Sequence, residues 1–213
     1  PYTTLFRSAS FITDTVSALE IHRGFTHSVF FSLLFAPILA FIVTKYETYK
    51  NFKNWTFLFF WVFITHPILD AQTTWGTQLF WPLDIRLAFK NIFVIDPLYT
   101  LPFLVFLILA MRQKKASKKR RFYNNLGLYI SSLYLVLTVI LKGVSYQKFT
   151  KELAEQKISY KTIKTKPTPL NTILWTANIE TEKSYLIGNS SFLDQHPIKF
   201  SEYPKNHYLL GDI

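Results

Sequence analysis

Four apolar runs constrain this chain more than any other feature: residues 28–43 (SVFFSLLFAPILAFIV), 55–69 (WTFLFFWVFITHPIL), 92–110 (IFVIDPLYTLPFLVFLILA) and 126–141 (LGLYISSLYLVLTVIL). Each is a little short of the roughly 20 residues that cross a bilayer, and interfacial Trp, Tyr and Lys can extend it. A soluble helical protein would have to bury all four, and their near lack of charge argues against that. Charged residues make up only 17% of the 213 residues and aromatics 18%, against roughly a quarter charged in ordinary soluble domains. The expected fold is therefore mainly α: a polytopic helical membrane domain with about four membrane helices. The chain contains no Cys, which excludes disulfides and thiolate metal sites.

The net charge of +11 would suit a nucleic-acid partner if it were spread over one face. Instead, MRQKKASKKRR (111–121) holds seven Lys or Arg and no acid. A basic run between two membrane segments reads as a cytoplasmic loop, and no nucleic-acid partner is expected. Alternation then puts loop 44–54, with Lys45, Lys50 and Lys53, on the same side. Loop 70–91 falls outside, its Arg86 and Lys90 balanced by Asp70 and Asp84. The expected location is the cell membrane, multi-pass, with membrane lipids as partners.

Beyond residue 142 the character changes. SYQKFTKELAEQK (145–157) is a polar, amphipathic helix, while ISYKTIKTK, NTILWTANIE and KSYLIG alternate in the β manner with ETEK (180–183) as a turn. Residues 143–213 are read as a small α+β domain, extracytoplasmic by alternation and incomplete. At the other end, PYTTLFRS (1–8) reads like a translated sequencing adapter. Residues 1–13 are expected to be a non-native or truncated segment, leaving 14–142 as the membrane domain.

Ionisable groups at a membrane boundary are costly and so are functional candidates. His22 and His27, in IHRGFTHSVFF, lie at the outer end of the first apolar run. His66 and Asp70, in THPILD, lie at the outer end of the second. Antiparallel neighbours bring those ends together whichever way the protein is oriented. His66 and Asp70 are four apart, on one helix face, and an imidazole with a carboxylate can bind one divalent metal. Pro67 disfavours helix at the residue before it, so His66 is expected to close one helical segment and Pro67 to open the next. The segment HRGFTH is expected to turn at Gly24, with Thr26 or Ser28 capping the helix that follows. Such a turn can aim both imidazoles at one point, with Arg23 free to pair with a phosphate or carboxylate. The bland alternative is interfacial His and Arg around a structural Gly. Thr73, Thr74, Thr77 and Gln78 are possible partners for ligating histidines. Asp96, in IDPLY, either caps the third helix ahead of Pro97 or contributes to the site as a catalytic carboxylate. His196 and His207 read as ordinary surface.

Together, HRGFTHS, HPILDAQTTWGTQLFWP and IDP, in this order, resemble the YdjM-like family of membrane-bound metal-dependent hydrolases over about residues 14–142. The resemblance implies an integral membrane protein with a divalent metal, zinc by preference. It also implies a distant similarity to zinc-dependent phospholipases C and nucleases. By that analogy His22, His27, His66 and Asp70 are metal ligands. Four such groups at one depth lead to the expectation of a metal-dependent hydrolase at the outer membrane–water interface, with Arg23 holding the substrate anion, Asp96 acting as base or orienting a ligand, and a phosphoester or lipid-like substrate met at headgroup level. The family pattern carries an acidic Pro-Asp-x-Asp motif upstream, which this sequence lacks; FITDT, with Asp14, does not match it. The alternative is a non-enzymatic membrane protein with a structural or transport-related His/Asp metal site and a partner-binding outer domain. A phosphatidic acid phosphatase also uses an HxxxD element, but residues 55–65 hold no Arg and no Pro-Ser-Gly-His element occurs.

Overall fold

The computed structural model describes residues 24–205. The chain divides into two compact units, Pro1–Phe89 and Lys90–Ile213. Among the described residues, four α-helices and four strands follow in order: α1 (Val29–Tyr46), α2 (Phe52–Gln72), α3 (Pro97–Met111), α4 (Lys118–Glu155), β1 (Thr162–Pro167), β2 (Leu174–Glu180), β3 (Ser184–Ser191) and β4 (Phe200–Pro204).

In the first unit α1 and α2 form an antiparallel pair. A side-chain oxygen caps each start: Ser28 Oγ accepts from the Phe31 N–H at 3.0 Å, and Asn51 Oδ1 accepts from the Asn54 N–H at 3.0 Å, satisfying N–H donors for which the helix has no acceptor of its own. The faces that meet carry mostly small residues: Ser32, Ala36 and Ala40 are buried on α1, and Ile64, Pro67 and Ala71 on α2. The large apolar side chains face outward instead; Leu33 and Phe41 are 59% and 66% exposed. That inversion suits lipid, where helices associate through close backbone approach because water is not there to drive apolar burial.

The break expected at Pro67 is absent. α2 runs unbroken from Phe52 to Gln72 with Pro67 inside it. The pyrrolidine ring costs one backbone hydrogen bond, and Pro67 is fully buried, so packing holds the helix together across it.

Among the described residues, two helices, Val29–Tyr46 and Lys118–Glu155, are long and apolar enough to cross a membrane. Helix α2 has the length, at 21 residues, but Asn54, His66, Asp70 and Gln72 dilute it. Helix α3 is apolar but has 15 residues, because Asp96 caps it and residues 92–95 of the expected segment stay outside.

In the second unit α3 and α4 pack tightly: a Cβ at Gly127 would lie 2.9 Å from Phe106 Cβ. Helix α4 has 38 residues, roughly 57 Å at 1.5 Å per residue. It continues through 145–155, so the polar helix read there is its C-terminal part. On that end sits the sheet, an antiparallel meander in the order β1-β2-β3-β4. Its inner face places Trp175, Ala177, Ile179 and Leu186 with Ile198 against Phe149 and Leu153 of α4. Alternation along β3, Ser184 to Ser191, is strict between buried and exposed positions until its last residue, as a half-buried strand requires.

The sheet's outer face carries one charged fastening. Lys205 Nζ donates to Glu180 Oε1 at 2.6 Å and to the Thr181 carbonyl at 2.9 Å. The hydrogen bond from Lys205, before any other influence, holds the Glu180 carboxyl below its usual 4.5. A carboxylate depressed on folding contributes stability above its unfolded pKa and loses it as pH falls through the folded value. The pair should therefore loosen only below about pH 4.5. In Lys205→Gln the Glu180 titration, followed by carboxyl NMR, should move upward.

Candidate metal centre

Gly24 precedes a single 3-10 turn, Phe25–His27, that feeds into Ser28 and α1. Ser28 Oγ–H donates to the Phe25 carbonyl at 2.7 Å while its oxygen caps the helix. Of the two expected caps, Ser28 serves. Thr26 takes another role: its Oγ1 lies 3.0 Å from His27 Nδ1. In the tautomer whose Nδ1–H donates to Thr26, Nε2 of His27 presents its lone pair to the opposite side. The sequence had suggested capping for Thr26; only the 3-10 geometry turns it toward the ring.

Nε2 of His27 meets the residues of α2. It lies 3.6 Å from Asp70 Oδ2, and His66 Nε2 lies 3.7 Å from the same oxygen. The two imidazole centroids are 5.2 Å apart. One ligand atom from each of His27, His66 and Asp70 falls within 4.8 Å of the others. The two nitrogen–oxygen distances exceed ordinary hydrogen bonds, which run to about 3.2 Å. They approach the roughly 3.3 Å that separates neighbouring ligands around a tetrahedral ion with bonds of about 2.0–2.1 Å. Two imidazole nitrogens and a carboxylate oxygen are also the donor types zinc takes. This cluster could hold a divalent ion.

The surroundings grade from protected to open. His27 and Asp70 side chains are 17% and 13% exposed, whereas His66 is 66% exposed. The segment 73–89 backs the protected side. Thr77 and Leu87 exchange two backbone hydrogen bonds of 2.9 Å, Phe89 N–H reaches the Ala71 carbonyl at 2.7 Å, and Val29 N–H reaches the Leu79 carbonyl at 3.0 Å. Gly76 permits this fold: its φ is +67°, and a Cβ there would strike the Leu87 carbonyl oxygen. The buried Thr77 hydroxyl approaches the His27 carbonyl at 3.5 Å. Thr73 Oγ1 donates to the Asp70 carbonyl at 2.7 Å, and Gln78 pairs with Asp84 at 2.8 Å.

His22 and Arg23, expected beside these ligands, lie outside the described residues, as does His207. Asp96 belongs to the second unit. There Oδ1 accepts from the Leu98 N–H at 2.9 Å, Oδ2 accepts from Tyr134 Oη–H at 2.9 Å, and Tyr134 Oη also lies 3.0 Å from Thr172 Oγ1. It is the α3 cap that IDPLY suggests. His196 is exposed.

The family model for the YdjM inner membrane protein matches residues 8–146, more than half of the chain. No curated protein and no solved structure matches it.

Proposed function

We propose that this chain, which belongs to the YdjM inner membrane protein family, is a multi-pass membrane hydrolase with a divalent metal, zinc by its donor set, at the outer membrane–water boundary. One observation carries the reading: His27, His66 and Asp70 gather their donor atoms within 4.8 Å while His66 stays open. Structural zinc sites are closed by four protein ligands, whereas catalytic ones keep a position open. A bound ion would supply Lewis-acid polarisation of a phosphoryl or acyl oxygen and acidify a water.

The protein's own residues then divide the work. Asp70 lies between the two rings and contributes the negative charge that a dication needs. Thr26 fixes the tautomer and tilt of His27. His22 is assigned as a further ligand, with the ion then taking five-coordination to keep a position for water or substrate, and Arg23 as the group that holds the substrate anion, since a guanidinium matches phosphate or carboxylate in two-pronged fashion. Asp96 is assigned to orienting Tyr134 and capping α3. In this reading α2 and α3 also cross the bilayer, completing four spans with the 111–121 loop cytoplasmic. The cluster then lies at headgroup depth, which favours a phosphoester or lipid-like substrate.

The test uses the full chain purified in detergent. Metal is counted by elemental mass spectrometry, and turnover of p-nitrophenyl phosphoesters and acyl esters is followed with and without chelator. The expected result is one divalent ion per chain or more, with turnover lost on chelation and restored by zinc. Bound metal with no chelator-sensitive turnover of either ester class would reject the hydrolase in favour of a structural ion.

A further inference from the structure

A second polar feature lies in the other unit, where α3 turns into α4. A crevice of about 750 Å³ there is lined by Lys115, Lys118, Arg120 and Arg121 together with apolar side chains that include Leu107 and Met111. No Asp or Glu lines it. None of these four cations forms an ion pair among the described residues. Four like charges around one cavity repel one another, and nearby lipid lowers the dielectric that would screen them. An anion placed in the crevice would relieve that repulsion. The apolar lining adds a second requirement, because a hydrated inorganic anion gains nothing from Leu107 or Met111. A ligand with a phosphate at one end and an apolar body at the other meets both.

We propose that this crevice binds the phosphate headgroup of an anionic phospholipid. Both helices that form it are apolar, and the Lys/Arg bias puts their turn at the cytoplasmic surface, where anionic headgroups are presented. Basic pockets at that level between membrane helices suit such headgroups. The inference does not depend on the metal cluster.

A basic loop also serves to orient a membrane protein, so the experiment separates a site from bulk charge. Full-length protein in detergent is titrated with phosphatidylglycerol, and retained lipid is counted by native mass spectrometry, with phosphatidylcholine of the same acyl chains as the uncharged-headgroup control. Lys118→Gln/Arg121→Gln removes two lining charges. Lys114→Gln/Lys119→Gln removes two charges from the same segment that do not line the crevice. At about 1 kcal/mol, or roughly fivefold, per basic residue, the lining pair should weaken phosphatidylglycerol binding about thirtyfold. The control pair should change it less than threefold, and phosphatidylcholine should bind weakly throughout. Matching elution profiles and melting temperatures establish that both variants fold; Lys115→Gln, in the turn itself, replaces the lining pair if it fails that check. Equal losses in the two double variants would overturn the proposal. Competition by glycerol phosphate at concentrations equal to the lipid would overturn the lipid assignment and give the crevice to a soluble phosphate.

Discussion

Asparagine in place of Asp70 is expected to strip metal from the purified protein while leaving its helices intact. The carboxylate places one oxygen 3.6 and 3.7 Å from the Nε2 atoms of His27 and His66, and the variant keeps its shape without its charge. Substitution of an outer partner that merely orients a ligand costs roughly 10–100-fold in metal affinity. Loss of the anionic ligand itself should exceed that range. Stability should change far less, because asparagine keeps the size and polarity of the side chain at this helix end. Elemental analysis and visible spectra of the cobalt-substituted protein report on the site; far-ultraviolet circular dichroism reports on the helices. His196→Ala, an exposed histidine in the other unit, is the control and should keep its metal. Acidification should empty the wild-type site as well, since protons compete for the two imidazole nitrogens. An Asp70→Asn protein with wild-type metal affinity would mean that the ion is held elsewhere, and the cluster would lose its assignment.

Much of this arrangement is legible in the sequence because the cues are local. Apolar runs mark the helices, Ser28 and Asp96 mark their starts, and the HxxxD spacing puts His66 and Asp70 on one face. Period-two alternation likewise reveals β1, β2 and β3. What escapes is long-range or context-dependent. Pro67 reads as a break because residue-level sterics know nothing of the neighbouring helix that packs over it. Strand β4 is missed because FSEYP is polar, short and ends in proline; it forms by pairing with β3, Gly188 opposite Phe200, where a Cβ on Gly188 would strike the Phe200 ring at 2.6 Å. The brace from Thr77 to the His27 carbonyl spans 50 residues, and no spacing rule announces it. Thr26 could have been suspected, since a ligating His commonly has a partner on its other nitrogen, but its adjacency to His27 suggests a cap first.

Two kinds of packing hold this molecule together, and Trp175→Ala is the substitution expected to separate them most sharply. Along α1 to α3 and along α4 as far as Ser145 the buried residues are small apart from Ile64 and Pro67, and most large ones face outward, so few single truncations there remove much packing. The sheet follows the physics of water: its large side chains point inward, and Trp175 is fully buried with its ring near Phe192. Its Nε1–H donates to the Thr172 carbonyl at 2.8 Å, and the Thr172 hydroxyl meets Tyr134 of α4. Truncation therefore opens a cavity under β2 and also frees the β1–β2 connection. Core Trp→Ala changes cost about 3–5 kcal/mol, equivalent to a loss of roughly two to three and a half orders of magnitude in protection at about 1.4 kcal/mol per decade. Hydrogen exchange at the paired amides of β2 and β3 should show that loss, with proteolysis appearing first at 168–173. Tyr203→Ala, on the outer face of β4 and 53% exposed, should stay within about 0.5 kcal/mol of wild type. Unchanged protection in Trp175→Ala would mean that the meander's own hydrogen bonds hold the sheet. The inner face that covers Phe149 and Leu153 would then not be its core.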